Sequence, residues 1–257
     1  MPQPRNDRMN IAMNETRFHP MQDGHRIAYR LTSGTGPALV FLPGYMSDMS
    51  GSKACAVFAW AQAQGRACLL LDYSGCGQSS GTFADGTLSA WREETLALIA
   101  AYLPGQKVVL IGSSMGGWLM QLVAMELGAR VAGLVGIAAA PDFTDWGLSA
   151  DQKAALEAGH TIYEPNAYGP HPTPTHPGLY RDALGLRLLV RESLPITCPV
   201  RLLHGQADPD VPWELSLRIA ASVESADVQV ILIKDGDHRL SRDADIALLL
   251  HTLAALS

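Results

Sequence analysis

The sequence predicts an α/β fold built on a mostly parallel central sheet with helices on both faces, interrupted once by an insertion. Three observations predict it. Continuous apolar runs at 38–42, 66–73, 108–111, 131–138, 200–203 and 228–233 alternate with stretches of helical periodicity, which is the pattern of strands buried on both faces and joined by crossover helices. One run stops at Gly112-Ser113-Ser114-Met115-Gly116-Gly117 and resumes as a helical stretch from Trp118. The alternation then fails between 141 and 198 and returns after it.

The elements follow in order. Residues 1–20 are polar and read as a flexible leader. Residues 25–31 alternate as an edge strand, and 38–42 are a buried strand broken by Pro43-Gly44-Tyr45. A helix over 54–63 leads to the strand at 66–73 and a glycine-rich connector, 74–81, which has neither a dinucleotide register nor a lysine for phosphate. From Thr87, Leu88, Trp91, Leu98, Ile99 and Tyr102 keep helical spacing with Arg92, Glu93 and Glu94 on the wet side. After the strand at 131–138 come a short helix at 151–158, a segment at 163–177 with five prolines that suits neither helix nor central strand, and a helix over 181–191. Strands at 200–205 and 228–233, with helices at 213–222 and 244–256, close the chain. The division is therefore a core of 21–140 and 199–257 with a lid over 141–198 that contributes to the substrate pocket.

Composition narrows the function. The 257 residues carry a net charge of −6 without a basic run, which argues against nucleic-acid partners and favours small-molecule or acylated substrates. No apolar run approaches the ~20 residues of a membrane span. The leader contains Arg5, Asp7, Arg8 and Glu15 and lacks the features of a secretory or transit peptide, and Cys55, Cys68, Cys76 and Cys198 are scattered. These features set the expectation of a cytoplasmic protein with reduced thiols. His160, His171 and His176 lack metal-ligand spacing, so neither a metal nor a cofactor is expected.

Strand, tight turn and helix around Gly-x-Ser-x-Gly make a nucleophile elbow, with Ser114 at its tip. The glycines are needed because neighbouring backbones approach too closely for a Cβ. Ser114 then sits at a helix N-terminus, where the Met115 N–H faces a developing oxyanion. In an α/β-hydrolase plan the turn after the strand preceding the first large helix supplies the second N–H, which assigns Tyr45. A serine nucleophile needs a base and an orienting acid, following in the order Ser, Asp/Glu, His. His238, just past the last strand, takes the place of the base, because His251 turns away from the apolar stripe Ile246, Leu249, Leu250 and Leu253 as a solvated helix residue. Asp208 is the first candidate acid, Asp210 the second, and Asp142 the third; His204 reads as a structural strand-end residue.

These motifs, with Phe41-Leu42-Pro43-Gly44-Tyr45, Asp72-Tyr73-Ser74-Gly75, Arg201-Leu202-Leu203-His204-Gly205, Val211-Pro212-Trp213 and Asp237-His238-Arg239, resemble the α/β-hydrolase subgroup of mitochondrial palmitoyl-protein thioesterases that also act as acyl-glucuronide esterases. The resemblance runs from about Phe41 to the end and leaves out the lid. It implies nucleophile Ser114, acid Asp208, base His238 and oxyanion amides from Tyr45 and Met115. The expected activity is cofactor-free serine hydrolysis of carboxylic esters or acyl thioesters through an acyl-enzyme. Amidase, C–C hydrolase or acyl-transferase chemistry on the same triad is the alternative, and a non-catalytic ligand receptor on this fold a third.

Overall fold

The computed structural model describes residues 15–166 and 169–256. Its centre is an eight-stranded sheet formed by β1 (Arg17–Pro20), β2 (Arg26–Thr32), β3 (Thr35–Leu42), β4 (Arg66–Leu71), β5 (Val108–Ser113), β6 (Val131–Ile137), β9 (Val200–Gly205) and β10 (Val228–Ile233). The spatial order is β1-β2-β4-β3-β5-β6-β9-β10. Strands β1 and β2 are antiparallel to their neighbours, and β4, β3, β5, β6, β9 and β10 run parallel.

Doubly buried strands explain the continuous apolar runs. Successive residues of a strand feed opposite layers: Val40, Leu42, Val108 and Leu110 pack with α2 (Leu88–Tyr102), α3 (Met115–Leu127) and α7 (Glu214–Ser222). Leu39, Phe41, Val109 and Ile111 pack instead with α1 (Ser52–Ala63) and α8 (Asp243–Ala255). The strands order the site, because β3, β5, β9 and β10 all deliver their C-terminal ends to one rim of the sheet, where ligands of open α/β sheets bind.

The segment between β6 and β9 holds α4 (Phe143–Trp146), α5 (Ala150–Glu157), a two-stranded ribbon of β7 (Ile162–Glu164) and β8 (Thr173–Thr175), and α6 (Pro177–Leu184). Two sequence expectations change, at the N-terminus and in the helix over 181–191, while the proline-rich segment keeps out of the central sheet. Residues 1–14 of the expected flexible leader lie outside the described residues, but Arg17–Pro20 pair with β2 as an edge strand. Pro174 is held in β8 because a two-stranded ribbon leaves its missing N–H on an open edge. The helix expected over 181–191 instead begins at Pro177, at a first-turn position that needs no N–H donor, and stops at Leu184. The chain bends there because the Asp142 carboxylate accepts the N–H groups of Leu188 and Leu189 at 2.8 and 2.7 Å.

Candidate active site

Strand β5 ends in a sharp corner at Ser114, whose φ of 54° and ψ of −122° lie in a region that L-residues avoid, at a cost of about 1–3 kcal/mol. The corner is pinned on both sides. Ser114 N–H donates to the Ile137 carbonyl at 2.9 Å, and the Ser114 carbonyl accepts from Gly117 and Ala140 at 2.8 and 3.0 Å. No side chain fits inside it: a Cβ on Gly116 would lie 2.1 Å from the Leu42 carbonyl oxygen. The result is a hydroxyl lifted above the sheet rim, half-exposed, with α3 beginning at the next residue. Met115 N–H, in the first helical turn, has no i−4 carbonyl to meet.

Two further loops converge on this hydroxyl. His238 Nε2 lies 3.1 Å from Ser114 Oγ, and His238 Nδ1 lies 2.8 Å from Asp208 Oδ2. The Asp208 side chain is fully buried, and its other oxygen accepts the N–H groups of Asp210 and Val211 at 2.8 and 2.9 Å. Burial works against its charge but is outweighed by hydrogen bonds from His204 and His238, so the carboxyl is held well below the usual range. The loops carrying Asp208 and His238 touch through glycine. A Cβ on Gly205 would lie 2.1 Å from the Gly236 carbonyl oxygen, which itself accepts the Ala207 N–H at 3.0 Å.

The opposite wall is the loop after β3. Its position is fixed by the buried Asp72 carboxylate, which accepts Met49 N–H at 2.7 Å, and by Tyr73, whose hydroxyl donates to the Pro43 carbonyl at 3.2 Å. Tyr45 tucks its ring against Phe83 and Phe143 and donates its hydroxyl to the Pro174 carbonyl of β8 at 2.9 Å, tying this loop to the inserted segment. Between these walls lies a cleft of about 690 Å³. Phe143, Trp146 and Leu148 from the insertion give it apolar lining, and Asp48, Lys53 and Arg239 give it charged lining. Lys53 donates to the Arg239 carbonyl, and burial together with the Arg239 charge pushes its amine down to about 8.

Of the sequence candidates, Ser114, His238 and Asp208 thus meet in one hydrogen-bonded chain, with Tyr45 and Met115 at the cleft wall. Asp210 is exposed at the mouth and holds Asp208 through its backbone. Asp142 is buried and committed to the backbone of the insertion. His251 is exposed on α8. Ligand-type atoms of Asp208, Asp210 and His238 lie within 4.8 Å of one another, yet a cation there would have to displace the hydrogen bonds already made by Asp208 and His238. Lys53, and the role of Gly236 in bringing the two loops together, had no sequence signal, since neither belongs to a periodic or motif position.

The fold itself occurs in known proteins. A family model described as "Alpha/beta hydrolase family" matches residues 39–248. The chain belongs to the α/β-hydrolase family. Within that family it is 38% identical over 230 residues to "Palmitoyl-protein thioesterase ABHD10, mitochondrial" of Mus musculus, covering 88% of this chain and 77% of the relative. Among solved α/β-hydrolase structures, "Alpha/beta hydrolase domain-containing protein 10 from mouse" superposes with a TM-score of 0.86 at 36% identity, covering 94% of this chain and 98% of that one. A crystal structure from Agrobacterium vitis S4 superposes with a TM-score of 0.87, also at 36% identity and with the same coverage. The expected cytoplasmic location is overturned by this comparison: the relatives from mouse, human, orangutan, cattle and rat are all named mitochondrial.

Proposed function

We propose that this α/β hydrolase is a serine hydrolase of carboxylic esters and acyl thioesters, working through an acyl-enzyme on Ser114. The observation that carries the reading is the unbroken chain from Ser114 Oγ through His238 to the buried Asp208 carboxylate, 3.1 and 2.8 Å per link, with Ser114 and His238 lining the cleft. His238 takes the Ser114 proton as Oγ attacks the acyl carbonyl, and Asp208 holds the ring and offsets the charge it gains. The N–H groups of Tyr45 and Met115 receive the oxyanion. His238 then returns the proton to the departing alkoxide or thiolate, and a water deprotonated by His238 releases the acid.

Residues 141–198 act as the lid over the core of 21–140 and 199–257, and the apolar lining formed by Phe143, Trp146 and Leu148 takes the acyl group. The names of the mammalian relatives, palmitoyl-protein thioesterases, support acyl thioesters among the substrates. The test is kcat/KM on matched acyl esters and thioesters of increasing chain length, with Ser114→Ala beside the wild type. Hydrolysis of both classes that disappears in Ser114→Ala is the expected result. Activity that survives in Ser114→Ala, or absence of turnover on every ester and thioester, would overturn the proposal.

A further inference from the structure

His204, one residue before the end of β9, is fully buried and takes no part in the steps above. Its Nδ1 lies 2.8 Å from Ser216 Oγ on α7; its Nε2 lies 3.1 Å from the Val211 carbonyl oxygen and 3.3 Å from Asp208 Oδ2. Both neighbours of Nε2 are acceptors, so this nitrogen carries a hydrogen and shares it between carbonyl and carboxylate. Ser216 engages the other nitrogen and fixes the ring plane. An apolar residue would fill this interior site without needing any polar partner, so the imidazole is there for its hydrogen bonds.

The consequence falls on Asp208. Its Oδ1 accepts from the backbones of Asp210 and Val211 and its Oδ2 from His238, with His204 Nε2 3.3 Å from the same Oδ2. Counting His204, these make four polar neighbours for the roughly four lone-pair sites of a carboxylate. With three of them belonging to the acid's own strand and loop, the plane of the carboxylate is set whether or not His238 is in position.

We propose that His204 is a positioning residue that orients the Asp208 carboxylate through Nε2–H···Oδ2, so that this oxygen meets His238 Nδ1 in line with Ser114. The inference rests on the Ser114–His238–Asp208 reading. It predicts that His204 acts only through Asp208, which distinguishes it from a residue that merely fills space.

The experiment measures kcat, KM and the pH profile of kcat/KM on a short-chain p-nitrophenyl ester for wild type, His204→Phe, His204→Gln, Asp208→Ala and the His204→Phe/Asp208→Ala double variant. His204→Phe is expected to lower kcat about 10- to 100-fold, the loss of one hydrogen bond to a charged group, with KM little changed. The acid limb of its profile shifts to lower pH, because a loosened carboxylate supports protonated His238 less. His204→Gln, whose amide nitrogen can donate from nearly the same place, recovers most of the activity. On the Asp208→Ala background His204→Phe adds almost nothing. The proposal is overturned if His204→Phe keeps wild-type kcat and acid limb, or if its loss multiplies undiminished with that of Asp208→Ala. Should His204→Phe fail to fold, Ser216→Ala frees the ring without removing it. A smaller kcat loss that again vanishes on Asp208→Ala supports the proposal, and an unchanged kcat overturns it. Ser114→Ala, run in parallel, separates the two failures: full turnover there sinks the serine-hydrolase reading, whereas an inactive Ser114→Ala beside a wild-type-like His204→Phe sinks only the role of His204.

Discussion

Replacing Gly205 by alanine tests how the acid and base loops are brought together. The added Cβ would lie 2.1 Å from the Gly236 carbonyl oxygen and 2.3 Å from its carbon, both backbone atoms that cannot rotate away. Relief requires the two loops to part by about 1 Å, which forces strain of about 1–3 kcal/mol and leaves a domain of ordinary stability folded. Gly236 stands two residues before His238 and Gly205 three before Asp208, so the opening falls on the His238–Asp208 contact, now 2.8 Å. A further 1 Å takes it out of hydrogen-bonding range, and displacements of that size cost on the order of 100-fold in rate. The assay is kcat/KM on a short-chain p-nitrophenyl ester, with thermal unfolding to confirm that the variant is folded. Gly178→Ala is the control: nothing lies within 4 Å of a Cβ there, and it sits in α6, where alanine is the better helix former. Wild-type kcat/KM in Gly205→Ala would refute the idea that this glycine contact sets the geometry of acid and base.

Other perturbations separate residues that the sequence ranked together. Asp208→Asn should lower kcat by about 10⁴-fold through loss of the oriented imidazole, while Asp142→Asn keeps the turnover of the folded enzyme and lowers stability by about 1–3 kcal/mol; steady-state kinetics and urea unfolding of both check this. Lys53→Met should change how stability depends on pH. The Lys53 amine titrates at about 8 in the fold against 10.5 when free, so the unfolded chain binds more protons in between, and wild type gains stability relative to Lys53→Met as pH rises through that window. Urea midpoints at both ends of the window read it, and an unchanged difference between the two proteins contradicts it. Tyr45→Phe removes the 2.9 Å bond to the Pro174 carbonyl but keeps the ring packing, so amide exchange at Thr173 and Thr175 should quicken and kcat/KM should fall by about 5- to 10-fold.

The parts legible in sequence were those with a repeating physical cause. Strands such as 108–111 and 200–203 are buried on both faces, so their apolar runs announce them, and the elbow glycines announce the crowding that Gly116 meets at the Leu42 carbonyl. Ser114, Asp208 and His238 stand out in the sequence because each follows a strand end, and those ends share one rim, where the three side chains meet. Short elements with no such cause were missed. Nothing in Arg17–Pro20 alternates strongly enough to mark β1, and β7 and β8 owe their pairing to the fold of the insertion. The helix expected to run to 191 looked continuous because Leu186, Leu188 and Leu189 are good helix formers; the competing acceptor, Asp142, is 46 residues away from Leu188. In the sequence His204 is a strand-end residue like any other, because its contact with Asp208 depends on how the loop after β9 folds back.

The account rests above all on an acyl group carried by Ser114. Rapid quenching during turnover of an acyl thioester, followed by peptide mass spectrometry, measures this directly. The peptide containing Ser114 should gain the mass of the acyl group, and the adduct should decay at the rate of product release. Steady turnover with that peptide unmodified at every time point would contradict the account.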